Sequence, residues 1–268
     1  MGDGRLRWRP QGDTRGTAVL LHGMMSLCAT WWRIGPAMAS DGWDVTAVDM
    51  AGHGGAPRVG GPLTVDALVG RLTSAVPGPV DLLAGHSLGA VTAITAADRD
   101  PGLARAVVLE DPPAGRRVDP LVLAEGIESD SALAREDRDR LVRRSRTTNP
   151  MWADRDVEED VRGIEAADVP AITAGLRGGL RSSDVPALVA RVTAAGVPVL
   201  VLAAAESGGT FGTAPGSALT DDARRGVREA LPAGRFVELP GGHCLHRDHP
   251  DLWLSAVAAF ADEVLPPG

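Results

Sequence analysis

The stretch Val80-Asp81-Leu82-Leu83-Ala84-Gly85-His86-Ser87-Leu88-Gly89-Ala90 decides how the rest of the chain is read. A short apolar run leads into Gly-His-Ser-Leu-Gly, and an Ala-rich run follows. A strand that turns sharply into a helix has this form. The turn matches G-x-S-x-G, which holds a serine on a strained corner with its hydroxyl presented. Glycines at 85 and 89 fit a crowded backbone where a side chain would meet the neighbouring strand and helix. The plainer alternative for Ser87 is an ordinary helix N-cap.

Working outward, strand-like and helix-like segments alternate on both sides of this corner. Thr17–Leu21 is a buried-strand run ending at His22-Gly23-Met24-Met25. A helical stretch covers about 29–40. Asp44–Asp49 is the next strand and enters the loop Ala51-Gly52-His53-Gly54-Gly55. Leu63–Val76 has helical spacing and stops at Pro77-Gly78. The helix after Ser87 ends before Pro101, and Ala104–Glu110 is a further strand closed by Asp111-Pro112-Pro113. Arg5–Arg9 reads as an edge strand. This alternation predicts a mostly parallel sheet with helices on both faces.

The alternation breaks between about 114 and 195. That segment is charged, as in Arg135-Glu136-Asp137-Arg138-Asp139-Arg140, and contains no convincing strand. Its charge runs fit solvated helix faces. Leu121, Ile127, Leu133, Leu141, Trp152, Ile164 and Leu176 supply an apolar side. An all-helical insert at 114–196 is expected, a candidate lid between core segments 1–113 and 197–268. The sheet resumes at Val197–Ala203, a helix spans about 221–231, and Arg235–Leu239 leads into Pro240-Gly241-Gly242-His243. A final helix runs from about 250 to 264.

Composition narrows the chemistry. A chain of 268 residues can bury a full core. A net charge of -8 is the wrong sign for a nucleic-acid partner. No apolar run approaches the length of a membrane span, the first residues lack the apolar core of a secretory signal, and two cysteines make no disulfide framework. The cytoplasm is the expected location. All 27 basic residues are arginine, and there is no tyrosine. A Ser-Lys dyad, a Schiff base and a catalytic phenol are therefore excluded, which leaves histidine as the base for a nucleophilic Ser87.

Four motifs fall in loops at the carboxyl ends of strands: His22-Gly23-Met24-Met25, Gly52-His53-Gly54, Gly85-His86-Ser87-Leu88-Gly89 and Gly241-Gly242-His243. Together they resemble the α/β-hydrolase superfamily over nearly the whole chain, most closely its small capped esterase-like members. The resemblance implies an eight-stranded-type sheet with a helical cap. It also implies Ser87 as nucleophile, His243 as base, and the backbone N–H groups of Met24 and Leu88 as oxyanion donors. The family usually places its acid just after the strand that ends here near Ala203, where Glu206 is the first carboxylate, and Glu206 is the expected acid. The superfamily's second acid position, after the preceding strand, offers Asp111. Asp221 and Asp222 could also fill the role.

No cofactor is implied. His243, His246 and His249 form an H-x-x-H-x-x-H string, but Gly241-Gly242 and Pro250 leave little regular helix to align three imidazoles, so no metal is expected. The Gly52 loop lacks G-x-G-x-x-G spacing, and no P-loop lysine exists. The expected activity is hydrolysis of an ester, thioester or lactone in a medium-sized, largely apolar substrate. Two rival readings stand beside it: acyl transfer or cyclisation on the same scaffold, and a low-turnover binding protein of this fold. The sequence sets no oligomeric state.

Overall fold

The computed structural model describes residues 3–115, 118–180, 184–205 and 216–265. Among these residues, seven strands form one sheet: β1 (Arg5–Trp8), β2 (Gly16–Leu21), β3 (Trp43–Val48), β4 (Val80–His86), β5 (Ala104–Glu110), β6 (Val199–Ala204) and β7 (Phe236–Leu239). Their order is β1-β3-β2-β4-β5-β6-β7. Only β1 runs antiparallel, against β3. Among the described residues the sheet holds seven strands of the mostly parallel, eight-stranded-type architecture expected. Ahead of β2 the chain forms a single strand of four residues, and Pro10 and Gly12 then break it.

Alternation along each strand divides the core into two layers. Val19, Leu21, Leu83, Val107, Leu109 and Val201 face one side. There they meet α2 (Val65–Ala75), α3 (Leu88–Arg99), α8 (Val185–Ala194) and α9 (Asp221–Ala230) through residues such as Leu68, Ile94, Leu188 and Val227. Leu20, Leu82, Val108, Leu200 and Leu202 face the other side, against Ile34 and Met38 of α1 (Ile34–Ser40), Leu245 of the short α10 (Leu245–Asp248), and Trp253, Val257 and Phe260 of α11 (Pro250–Val264). Both faces are covered. Hence the central strands read as continuous apolar runs.

Between β5 and β6 the described residues contain helices and no strand. These are α4 (Pro120–Glu136), α5 (Arg138–Thr148), α6 (Asp154–Ala166), α7 (Val169–Arg177) and α8. Close backbone approaches seat α6 and α7 on loops at the sheet's carboxyl edge. A Cβ on Gly163 of α6 would lie 2.5 Å from the Met25 carbonyl oxygen, and one on Gly175 of α7 would lie 2.5 Å from that of Leu63. Leu63 N–H donates to the Ala171 carbonyl at 2.8 Å, and Asp168 N–H to that of Gly52 at 2.8 Å. The insert is expected to reach residue 196, but α8 packs beside α3 and α9 on a sheet face, with Arg191 paired to Asp98 of α3 at 2.8 Å. Val185, Leu188, Val189 and Val192 give α8 the apolar stripe this seat requires. No helix among the described residues is long and apolar enough to cross a membrane.

Candidate active site

Ser87 stands between β4 and α3 with φ 52° and ψ -117°, a conformation that strains any residue with a side chain. The two neighbouring glycines make it possible. A Cβ on Gly85 would lie 2.3 Å from the Gly89 carbonyl carbon, and one on Gly89 would lie 2.4 Å from the Leu21 carbonyl oxygen. The helix therefore starts against the end of β2. Ser87 occupies the N-cap position, yet its side chain makes no capping bond. Its backbone is fixed instead, with N–H donating to the Glu110 carbonyl at 2.9 Å.

The β2 loop comes alongside. A Cβ on Gly23 would sit 3.3 Å from Ser87 Cβ and 2.7 Å from His86 Nδ1. Met25 turns the loop with φ 58°. Leu88 opens α3, so its N–H lies in the first turn, where helical N–H groups have no acceptor within the helix. Met24 and Leu88, the expected oxyanion donors, thus belong to the β2 loop and the first turn of α3, which meet at Ser87.

His243 follows β7 on the Gly241-Gly242 turn. Its Nδ1 lies 2.6 Å from Asp111 Oδ2. Asp111 is fully buried and takes a positive φ of 41°, which bends the chain as it leaves β5. Three donors besides the imidazole satisfy its carboxylate: Ser217 Oγ at 2.6 Å, Ala218 N–H at 2.7 Å and Ala204 N–H at 3.2 Å. The residue expected in this place, Glu206, lies outside the described residues. The carboxylate at Nδ1 is Asp111, and the segment after β6 contributes hydrogen-bond donors to it. Asp221 and Asp222 begin α9, where carboxylates suit the helix dipole.

The remaining histidines have other tasks. His86 Nε2 lies 2.9 Å from the His243 carbonyl oxygen and donates to it, so the residue beside the serine braces the loop that carries His243. Burial, with His243, His246 and Arg247 nearby, holds the His86 pKa well below its usual value. His22 Nδ1 donates to the Gly23 carbonyl at 2.7 Å, and its Nε2 accepts from Met50 N–H at 3.0 Å. Burial lowers its pKa. His53 donates from Nδ1 to the Ala51 carbonyl at 2.9 Å, and burial brings its pKa down to about 3.

The three-histidine string is dispersed. His246 is buried with Nδ1 2.7 Å from Glu110 Oε1 and Nε2 2.9 Å from Thr30 Oγ1. His249 begins α11. Among the described residues no group of three or more His, Cys, Asp and Glu is placed to hold a metal ion. The Cys244 thiol is pushed well up by desolvation, which disfavours the reactive thiolate.

Sequence reasoning missed three contributors. Ser217 and the Ala218 N–H support Asp111 from a stretch with no periodic signal. Glu110 anchors the base loop from within a buried strand, where it accepts from His246 N–H at 3.0 Å and Trp253 Nε1 at 3.0 Å. A charged residue closing an otherwise apolar strand was the one available clue.

Comparison with known proteins agrees with this architecture. No curated protein matched the sequence. Among solved structures, N-formylmaleamic acid deformylase from Pseudomonas putida S16 is similar at 21% identity, with TM-score 0.71, covering 95% of this chain and 94% of that one. The enol-lactonase from Burkholderia xenovorans LB400 is similar at 21% identity and TM-score 0.65, covering 96% and 95%. A thermophilic esterase from Thermogutta terrifontis aligns at 18% identity and TM-score 0.67, covering 97% and 98%. At these identities the likeness is one of fold. The family model described as the alpha/beta hydrolase family matches residues 18–256. The chain belongs to the alpha/beta hydrolase family.

Proposed function

We propose that this protein is a serine hydrolase that cleaves a carboxylic ester, thioester or lactone through an acyl-enzyme. The observation that carries the reading is the 2.6 Å contact between His243 Nδ1 and the buried, fully hydrogen-bonded Asp111, on a loop braced by the residue preceding Ser87. Asp111 keeps the proton on Nδ1 and leaves Nε2 as the base. Ser87 Oγ attacks the carbonyl carbon as His243 takes its proton. The N–H groups of Leu88 and Met24 receive the oxyanion, and each such donor lowers the barrier by about 3 kcal/mol. His243 returns the proton to the leaving oxygen or sulfur as the tetrahedral species collapses. Water, deprotonated by His243, then releases the acid and frees Ser87.

The helices α4–α7 act in this reading as a cap. Ser87 is only 2% exposed, so substrate enters beneath or between them. The buried apolar residues near the elbow and on the cap, among them Leu88, Ala124 and Ile127, favour a largely apolar substrate. No cofactor takes part.

A panel of acyl substrates with a fluorophosphonate probe tests the proposal. Wild-type protein is expected to gain one covalent adduct at Ser87 and to turn over at least one ester, thioester or lactone. Ser87→Ala is expected to lose labelling and about a million-fold in kcat while keeping its melting temperature within a few degrees. Retention of more than about a hundredth of wild-type activity would falsify the nucleophile assignment.

A further inference from the structure

Gly242, the residue before His243, donates its N–H to Asp248 Oδ2 at 2.7 Å. Gly241 takes φ 110°, and a Cβ there would lie 3.0 Å from both Cβ and Oδ2 of Asp248. The turn that presents His243 is therefore wrapped around the Asp248 carboxylate. The other oxygen of that carboxylate is held from far away in sequence: Trp152 Nε1 donates to Asp248 Oδ1 at 2.8 Å. Trp152 lies between α5 and α6, where its backbone N–H closes a turn onto the Asn149 carbonyl at 3.1 Å.

A second tie runs alongside. The buried Arg247 guanidinium lies over the Trp152 ring, 4.4 Å from its centroid. It donates to Asp160 Oδ1 of α6 at 3.2 Å and to Thr30 Oγ1 at 2.9 Å. Two consecutive residues at the end of the short helix that follows His243 thus grip the α5–α6 hairpin, one by a hydrogen bond and one by stacking and an ion pair.

We infer that Trp152 and Asp248 are positioning residues for His243, so that the seating of the α5–α6 hairpin sets the alignment of the base. The inference rests on the serine-hydrolase reading for its kinetic consequence. Neither side chain needs to touch the substrate. A carboxylate accepting from an indole N–H and a backbone N–H makes two charge-assisted bonds, and together they fix the turn from both sides. Misplacing a catalytic group by about 1 Å can cost about a hundredfold in rate. A turn of two glycines has little stiffness of its own to prevent such a shift. Lifting the hairpin breaks the Trp152 contact and the Arg247 stacking together, and the base then loses its alignment.

The test uses Trp152→Phe, which keeps an aromatic ring over Arg247 and removes the N–H, together with Asp248→Asn and the double variant. Three quantities are read: the rate of Ser87 modification by diisopropyl fluorophosphate, kcat and KM for p-nitrophenyl acetate, and the His243 Nδ1–H proton resonance, identified by its loss in His243→Ala. In the phosphorylation the Ser87 Oγ–P bond forms, the P–F bond breaks, fluoride leaves and the proton passes to His243. Both single variants are expected to lose about tenfold or more in modification rate and kcat together, with KM within about twofold. The double variant should fall no more than about twofold below Asp248→Asn. The resonance should shift or broaden in both. If Asp248→Asn does not fold, Trp152→Phe alone decides. A raised KM with unchanged modification rate and unchanged resonance makes Trp152 a wall of the substrate site and overturns the inference. Absence of labelling in wild type refutes the hydrolase reading instead; the resonance still judges the positioning role, and an unchanged signal in Trp152→Phe rejects it.

Discussion

Among the described residues, three that are not glycine hold a positive φ: Met25, Ser87 and Asp111. They carry the turn of the proposed oxyanion loop, the proposed nucleophile and the carboxylate at His243. Each such conformation costs on the order of 1–3 kcal/mol and persists only where surrounding contacts over-determine it. For Asp111 those contacts are four hydrogen bonds; for Ser87 they are the glycine approaches on either side. The buried histidines carry a further cost that depends on pH. His22, His53 and His86 all have lowered pKa values in the fold, that of His53 at about 3. In the unfolded chain each takes up a proton near pH 6.5. Protonation therefore favours unfolding, and their contribution is complete above pH 6.5 and lost as pH falls below it. Each histidine adds a slope of up to about 1.4 kcal/mol per pH unit. Asp248, pushed up by burial, works in the opposite direction above its unfolded value of 3.8, but as one group against three. Urea unfolding at pH 7.5, 6.0 and 5.0 is expected to show falling stability, with a shallower slope in His53→Gln. Equal stability at the three pH values contradicts this account.

At the scale of elements, the strands and helices of the core were legible because their periodicities differ and their ends carry glycine, proline or a cap. The β4-to-α3 corner is the clearest case, since Gly85 and Gly89 mark the two close approaches observed there. The seat of α8 was not legible. Its apolar stripe fits either a cap or a sheet face, and packing against α3 and α9 decides between them. The seating of α6 was also hidden, because Gly163 reads as a weak point in a helix until Met25 is placed beside it. This gives a paired prediction. Gly126→Ala in α4, with nothing near the new Cβ, should stabilise the protein by about 0.5–1 kcal/mol through helix propensity. Gly163→Ala should gain the same propensity but push α6 off the Met25 loop, for a net loss of about 1–2 kcal/mol and a reduced kcat. Thermal melting and ester turnover of the two variants check it. Equal stabilisation in both would show that α6 does not press on the loop.

For the whole molecule, the candidate site exists only where β2, β4, β5 and the loop after β7 end together. Sequence order supplied its serine and histidine, because each sits in a glycine-rich motif after a strand. It left the carboxylate open. Asp111 reads both as a turn residue before two prolines and as an acid at the family's second position, while Glu206 follows the strand where the family usually places its acid. Only the packing of Ser217, Ala218 and Ala204 around Asp111 sets it at His243. The most direct test is therefore kcat for Asp111→Asn beside Glu206→Gln, measured on the best substrate of the acyl panel. Asp111→Asn should keep the fold and lose on the order of ten-thousandfold, since the amide stabilises the wrong tautomer of His243, while Glu206→Gln stays within a few-fold of wild type. The reverse pattern, or near-wild-type turnover in Asp111→Asn, would contradict the account.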